Sequence, residues 1–213
     1  MSGTITEIRK NGGDTPRLTV FVDGSEAFTV SEEVARELGL CVGHELAPSA
    51  AEHLEADDER AKTREVALRL LAVRARSEGE LVDRLRRKGF SEEVTAVVVS
   101  ALAEVGLVDD AAFARAWAEE KVRLRPIGPR RLTSELLSKR VSRDLVDLVV
   151  DETFREHSEL ELARRAVEKK ARVSGGADAK KRRARLHSFL IRRGFSYEVV
   201  STVLREIEGD ANA

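Results

Sequence analysis

Leu85-Arg86-Arg87-Lys88-Gly89-Phe90-Ser91, Leu136-Leu137-Ser138-Lys139-Arg140-Val141-Ser142 and Leu190-Ile191-Arg192-Arg193-Gly194-Phe195-Ser196 follow one pattern. Each has a leucine, a basic residue three positions later, an apolar residue two after that, and then a serine. Val94, Leu145 and Val199 stand three residues beyond the serines, which are 51 and 54 positions apart. The pattern describes a corner between two helices. The basic residue suits the negative end of the first helix, and a glycine takes the left-handed conformation that closes it. The apolar residue packs across the bend, and the serine caps the next helix. Arg140 stands where the other copies have glycine, so it is expected either at positive φ or in a corner built differently. With room for one more helix upstream of each corner, the repeating unit is three helices in about 50 residues, present three times.

Outward from the corners the chain stays helical back to Pro48. Val66, Leu70 and Val73 keep helical spacing, Ser77 and Glu80 have capping-box spacing, and so do Ser49 and Glu52. The acidic stretch from Glu52 to Glu59 is expected to be helical, continuous with the first repeat, and to hold the preceding residues at arm's length. Those residues are different in kind. Leu18, Val20 and Val22 alternate, Asp23-Gly24 offers a tight turn, and Ala27-Phe28-Thr29-Val30 follows, which is a hairpin signal. Thr4 to Ile8 supplies a third strand, and Ser31 caps a short helix ending at Gly39. The expected fold is mainly α: a β-rich module over 1–46, an acidic linker helix with the first repeat over 47–107, a second repeat over 108–157 and a basic third repeat over 158–213.

Composition agrees. Of the 213 residues 42% are hydrophobic and only 4% aromatic, so Ala, Leu and Val must build the core, and the 4 prolines leave helices uninterrupted. Cys41 is the single cysteine, which fits a reducing compartment. No signal peptide or membrane-length apolar run is visible, and a cytoplasmic location is expected.

The net charge of −1 conceals a polarity. Residues 1–60 hold 13 Asp/Glu against 5 Lys/Arg, whereas residues 160–195 hold 12 Lys/Arg against 3 Asp/Glu. Long cationic side chains on a rigid helix suit phosphate neutralisation. Lys180, Lys181, Arg182, Arg183 and Arg185 open a helix whose Leu186, Phe189 and Leu190 form one apolar stripe. Arg192 and Arg193 lie at its far end, and Arg164, Arg165, Lys169, Lys170 and Arg172 lie upstream. Arg123, Arg125, Arg130 and Arg131 form a second basic group around Pro126 and Pro129. These are the candidate nucleic-acid contacts; a solvated face, or one that meets an acidic protein surface, is the competing reading. Trp117 reads as core packing rather than a base-stacking platform. No catalytic or metal constellation is seen and no cofactor is expected: His44, His53, His157 and His187 are scattered, and Asp109-Asp110 has the context of a helix cap with an acidic first turn.

Ala67 to Leu81 resembles the opening ALRxLxxRxRSxxEL of the RecX family, and Leu85 to Phe90 its LxxKGF. Gly106 to Ala114 is similar to GxxDDxxFA, and Arg123 to Leu132 with Glu135-Leu136 to the family's motif around a central glycine. The resemblance implies an elongated, curved body of three-helix repeats and a non-enzymatic regulator of the RecA recombinase. It implies binding to free RecA, to RecA filaments and to single-stranded or duplex DNA, limiting filament extension and lowering recombinase and co-protease activity. Homologous recombination, DNA repair and the SOS response are the implied settings. A helical scaffold that binds only protein is the alternative.

Overall fold

The computed structural model describes residues 3–12, 17–46, 48–171 and 179–210. They gather into two compact units. One runs to Ala75 and takes in Leu81–Leu107; the other joins Arg76–Glu80 to the described residues from Val108 onward.

In the first unit, β1 (Gly3–Asn11), β2 (Arg17–Val22), β3 (Ser25–Ser31) and β4 (Glu45–Leu46) form an antiparallel sheet in the order β3-β2-β1-β4. Asp23 and Gly24, at φ 50° and 81°, make the β2–β3 turn, the handedness that matches strand twist. Ser31 caps α1 (Glu32–Glu37) through the Val34 N–H. Helix α2 (Pro48–Val73) is continuous through the acidic stretch, as expected. It begins at Pro48, so Ser49 falls inside its first turn rather than ahead of it; the side chains of Ser49 and Glu52 lie outside the described residues.

The arm's-length expectation is overturned. Leu54 is buried with Ile5, Val20, Phe28, Val30 and Val34 in the sheet's own core, and Ala61 packs against it. Asp58 is buried as well. It accepts hydrogen bonds from Arg17 (2.7 Å) and from the Ser31 N–H (2.8 Å), and it pairs with Lys62 (2.6 Å). Burial pushes this carboxyl upward, but the bonds and charges of Arg17 and Lys62 together outweigh it and hold the carboxyl below its usual range. The acidic stretch read as a linker therefore carries the anchor of the sheet. Charge density alone did not distinguish a buried aspartate from its solvated neighbours. The first repeat is completed by α3 (Glu78–Arg86) and α4 (Glu92–Glu104).

The second unit holds α5 (Asp110–Leu124), α6 (Pro129–Ser138) and α7 (Arg143–Glu156), then α8 (Glu159–Ala171), α9 (Ala179–Arg192) and α10 (Tyr197–Asp210). Phe113, Leu132, Leu136, Val146 and Val149 are core to the second repeat; Leu162, Leu186, Leu190, Phe195 and Val200 are core to the third. Val122 of α5 joins the third core and Phe154 touches both.

The three corners share one hydrogen-bond pattern. Phe90, Val141 and Phe195 donate their N–H to the carbonyls of Leu85, Leu136 and Leu190 at 3.4, 3.3 and 3.3 Å. This is the six-to-one bond that closes a helix on a left-handed residue. That residue is Gly89 at φ 94°, Arg140 at 63° and Gly194 at 81°, so Arg140 takes the strained of its two expected forms. The serines are less uniform than expected. Ser91 accepts from the Val94 N–H, but Ser142 makes no side-chain cap bond and Ser196 donates its hydroxyl to Glu159.

Within the second unit, two of these corners seat the start of another helix. The Ser77 hydroxyl donates to the Lys139 carbonyl, and the Gly128 N–H donates to the Arg193 carbonyl at 2.8 Å. Ser77 and Gly128 are 51 residues apart, Lys139 and Arg193 54, which is the period of the corners themselves. Small residues make the approach feasible: a side chain on Gly79 would strike the Arg140 Cβ, and one on Gly128 the Gly194 carbonyl. Asp109 caps α5 through the Ala112 N–H (2.8 Å), and Asp110 accepts the Glu78 N–H (2.7 Å) at the start of α3.

Candidate nucleic-acid interface

The link between α5 and α6 delivers arginines to the end of α9. Pro126 and Ile127 are buried, Gly128 rests on the Gly194 corner, and Pro129 opens α6. Arg125 and Arg131 are thereby brought beside Arg192 and Arg193. With Lys121, Glu135, Ile127 and Phe189 they line a pocket of about 330 Å³. The two basic groups that looked separate in the sequence meet here.

Glu135 organises the pocket floor. Its carboxylate accepts from Arg131 Nε at 2.9 Å and from the Trp117 indole N–H at 3.2 Å, and it pairs with Lys121 at 3.5 Å. Burial raises this carboxyl, yet Arg131, Lys121 and Trp117 together hold it below its usual range. The ammonium groups of Lys121 and Lys139 lie over the Trp117 ring at 4.1 and 4.9 Å. With its N–H bonded and its ring covered, Trp117 is packing and cation support rather than an open stacking platform. Arg193 donates to the carbonyls of Arg125 and Pro126 and lies 5.1 Å from the Phe189 ring centroid. Burial, and next the guanidinium groups of Arg131 and Arg125, depress its pKa from the ordinary arginine value, but it stays charged at neutral pH. The pocket thus crowds cations around a single lining carboxylate, and an anion entering it relieves their repulsion.

The remaining candidates divide. Lys181, Arg182 and Arg185 on α9, Arg192 at its end, Arg125 at the close of α5 and Arg130 in the first turn of α6 are exposed, with no side-chain hydrogen bond or ion pair to another described residue. Lys180 is exposed but engaged. Arg123 is exposed, and its carbonyl accepts from Arg165 at 3.2 Å. Arg164 forms a two-pronged pair with Glu206 at 2.9 and 2.6 Å, which raises the Arg164 pKa and lowers that of Glu206. Arg183 pairs with Glu208. The side chains of Lys169 and Lys170, and Arg172 as a whole, lie outside the described residues.

Three contributors were missed in the sequence: Lys121, Glu135 and Phe189. Trp117 and Lys121, four apart on α5, were a signal that a cation lies over an indole. Phe189 was read as stripe; it packs against the third core but is only half-buried, and part of it faces the pocket.

The comparisons with known proteins point one way. The chain matches the RecX first three-helix domain over residues 64–102, the second over 109–149 and the third over 157–204. The regulatory protein RecX of Streptomyces lividans is 38% identical over 145 residues, 68% of this chain and 77% of that protein. The chain belongs to the RecX family. The regulatory protein RecX of Caldanaerobacter subterraneus is 30% identical over 185 residues, 87% of this chain and 90% of its own length. A crystal structure of a regulatory protein RecX covers 94% of this chain and 98% of its own at TM-score 0.68 and 23% identity. RecX from Lactobacillus salivarius covers 71% and 98% at TM-score 0.59 and 19% identity. At those identities the two structures establish a shared fold. The matched RecX domains coincide with the three-helix repeats, so the family's relatives are regulators built on this architecture. Among the described residues no helix is long and apolar enough to cross a membrane, and no three His, Cys, Asp or Glu side chains form a metal group.

Proposed function

We propose that this chain regulates RecA in the cytoplasm by binding the free recombinase and its filaments on single-stranded DNA. It limits filament extension and lowers recombinase and co-protease activity without chemistry of its own. Membership of a family of regulatory proteins supports the regulatory role. The observation that carries the DNA half is the convergence of Arg125, Arg131, Arg192 and Arg193 on one pocket, with exposed cations running back along α9. Added to RecA assembled on single-stranded DNA, the protein is expected to suppress ATP hydrolysis as filaments fail to extend. Hydrolysis that continues unchanged at saturating protein refutes the reading.

One observation favours the protein-only scaffold. In the first unit, α1, α2 and α4 border a groove of about 800 Å³ in which Leu38, Leu68, Val97 and Val105 are exposed, an apolar surface of the kind that meets protein. The two readings separate on the free protein: DNA contact requires affinity that falls steeply with salt, whereas a scaffold shows none.

A further inference from the structure

Phe189 is the aromatic side chain that lines the cation pocket, and its position on α9 is specific. Arg185 precedes it by four residues and Arg192 follows it by three, so the three share one face of the helix. Four residues of helix rise about 6 Å, so cations lie one turn to either side of an aromatic ring. The ring is half-buried: it packs against the third-repeat core and also lines the pocket. Arg193 lies on it at 5.1 Å, adding a second planar surface. Packing against that core needs only an apolar side chain; the π-face is taken up by Arg193, whose planar guanidinium, held on the ring, is itself a surface on which a base stacks. A stacking surface beside clustered guanidinium groups serves something more particular.

We infer that the pocket holds one unpaired nucleotide of a single strand, its base against the Phe189–Arg193 pair and the phosphates that flank it among Arg125, Arg131 and Arg192. Base faces in a duplex are occupied by their neighbours in the stack, so a ring set between cations reaches only a base that is free to splay. Stacking on a phenyl face or a guanidinium plane is indifferent to base identity, while the arginines neutralise the backbone. The site therefore selects strandedness rather than sequence. The pocket volume of about 330 Å³ lies at the small end of ligand sites, which suits one nucleotide. This inference rests on the DNA contact proposed above and adds to it a base-stacking subsite and the side chains that form it.

The test compares fluorescent 15-mers of thymidylate with abasic 15-mers, which keep every phosphate and lose every base, on the full chain at fixed salt. The thymidylate strand is expected to bind at least about fivefold more tightly, the low end of what one stacked base contributes. Phe189→Leu should abolish that preference and leave the slope of affinity against salt unchanged. Arg125→Ala with Arg192→Ala should lower the slope for both strands. Free dTMP, which lacks flanking phosphates, should displace the strand only at concentrations far above those of the oligonucleotide. Equal affinity of the native protein for the two strands overturns the inference and leaves DNA contact standing. Absence of salt-sensitive binding to either strand overturns the DNA reading itself. Displacement by dTMP at oligonucleotide concentrations makes the pocket a free-nucleotide site and also overturns the inference. A preference that survives in a Phe189→Leu variant whose circular dichroism matches the native protein also overturns the inference; should that variant misfold, equal affinity of the native protein for the two strands still overturns it.

Discussion

The second and third repeats turn the same corner and carry their positive charge in different ways. In the third repeat the cations are dense, but α10 answers them: Glu206 and Glu208 take Arg164 and Arg183. The second repeat, residues 108–157, holds 10 Lys/Arg matched by 10 Asp/Glu, yet its proline-stiffened link lies on the Gly194 corner and gathers Arg125 and Arg131 toward Arg192 and Arg193. Charge density along a chain therefore does not measure the charge available to a ligand. Availability depends on which carboxylates the fold places opposite and on which cations it crowds together.

Removing equal charge from the pocket and from the start of α9 should break or sharpen this contrast. Arg125→Ala with Arg192→Ala takes two cations from the pocket; Lys181→Ala with Arg182→Ala takes two from the exposed start of α9. If both pocket residues hold phosphates, the slope of log affinity against log salt should fall by about 1.4, and affinity at 0.1 M salt by about 25-fold. The α9 pair, standing free in solvent, should cost about one contact, roughly fivefold. Equal losses, measured by fluorescence anisotropy across a salt series, would mean that charge count alone governs binding.

A smaller effect should come from the answering carboxylates. Glu206→Gln with Glu208→Gln releases Arg164 and Arg183, and DNA affinity should rise by about two- to fivefold at low salt, fading as salt screens the added charge. Both pairs are exposed, so thermal stability should hardly move. Unchanged affinity would place these two arginines away from the path of the strand.

Much of this was legible in the sequence. The corners were, because a helix end leaves a local signature: a basic residue, a left-handed position and an apolar residue across the bend. The hairpin and the continuous α2 were legible for the same reason. The burial of Asp58 was not, since its partners Arg17 and Ser31 are far away in the chain and only the folded sheet brings them near. The pocket was legible only in halves. Arg125 and Arg193 are on different repeats, and their meeting depends on Gly128 seating on Gly194, a contact without a local signal. Pairing of Arg164 and Arg183 with α10 was likewise long-range.

Arg140 gives the smallest effect and the closest test of how alike the two corners are. At φ 63° it sits in the left-handed region, where a Cβ crowds the backbone and glycine does not. Arg140→Gly relieves that crowding but also loosens the unfolded chain and removes the Cβ that packs on Gly79. Relief of the strain should prevail narrowly, giving up to about 1 kcal/mol of added stability, or about 2–4 °C in Tm. The opposite change at the sister corner, Gly194→Ala, meets both the positive φ and the backbone nitrogen of Arg131, so it should cost roughly 3 kcal/mol. Calorimetry of both variants tests the pair. A loss of stability in Arg140→Gly would show that the second corner relies on its arginine to hold the Ser77–Glu80 segment, and that the two corners share their hydrogen bonds but not their means of closure.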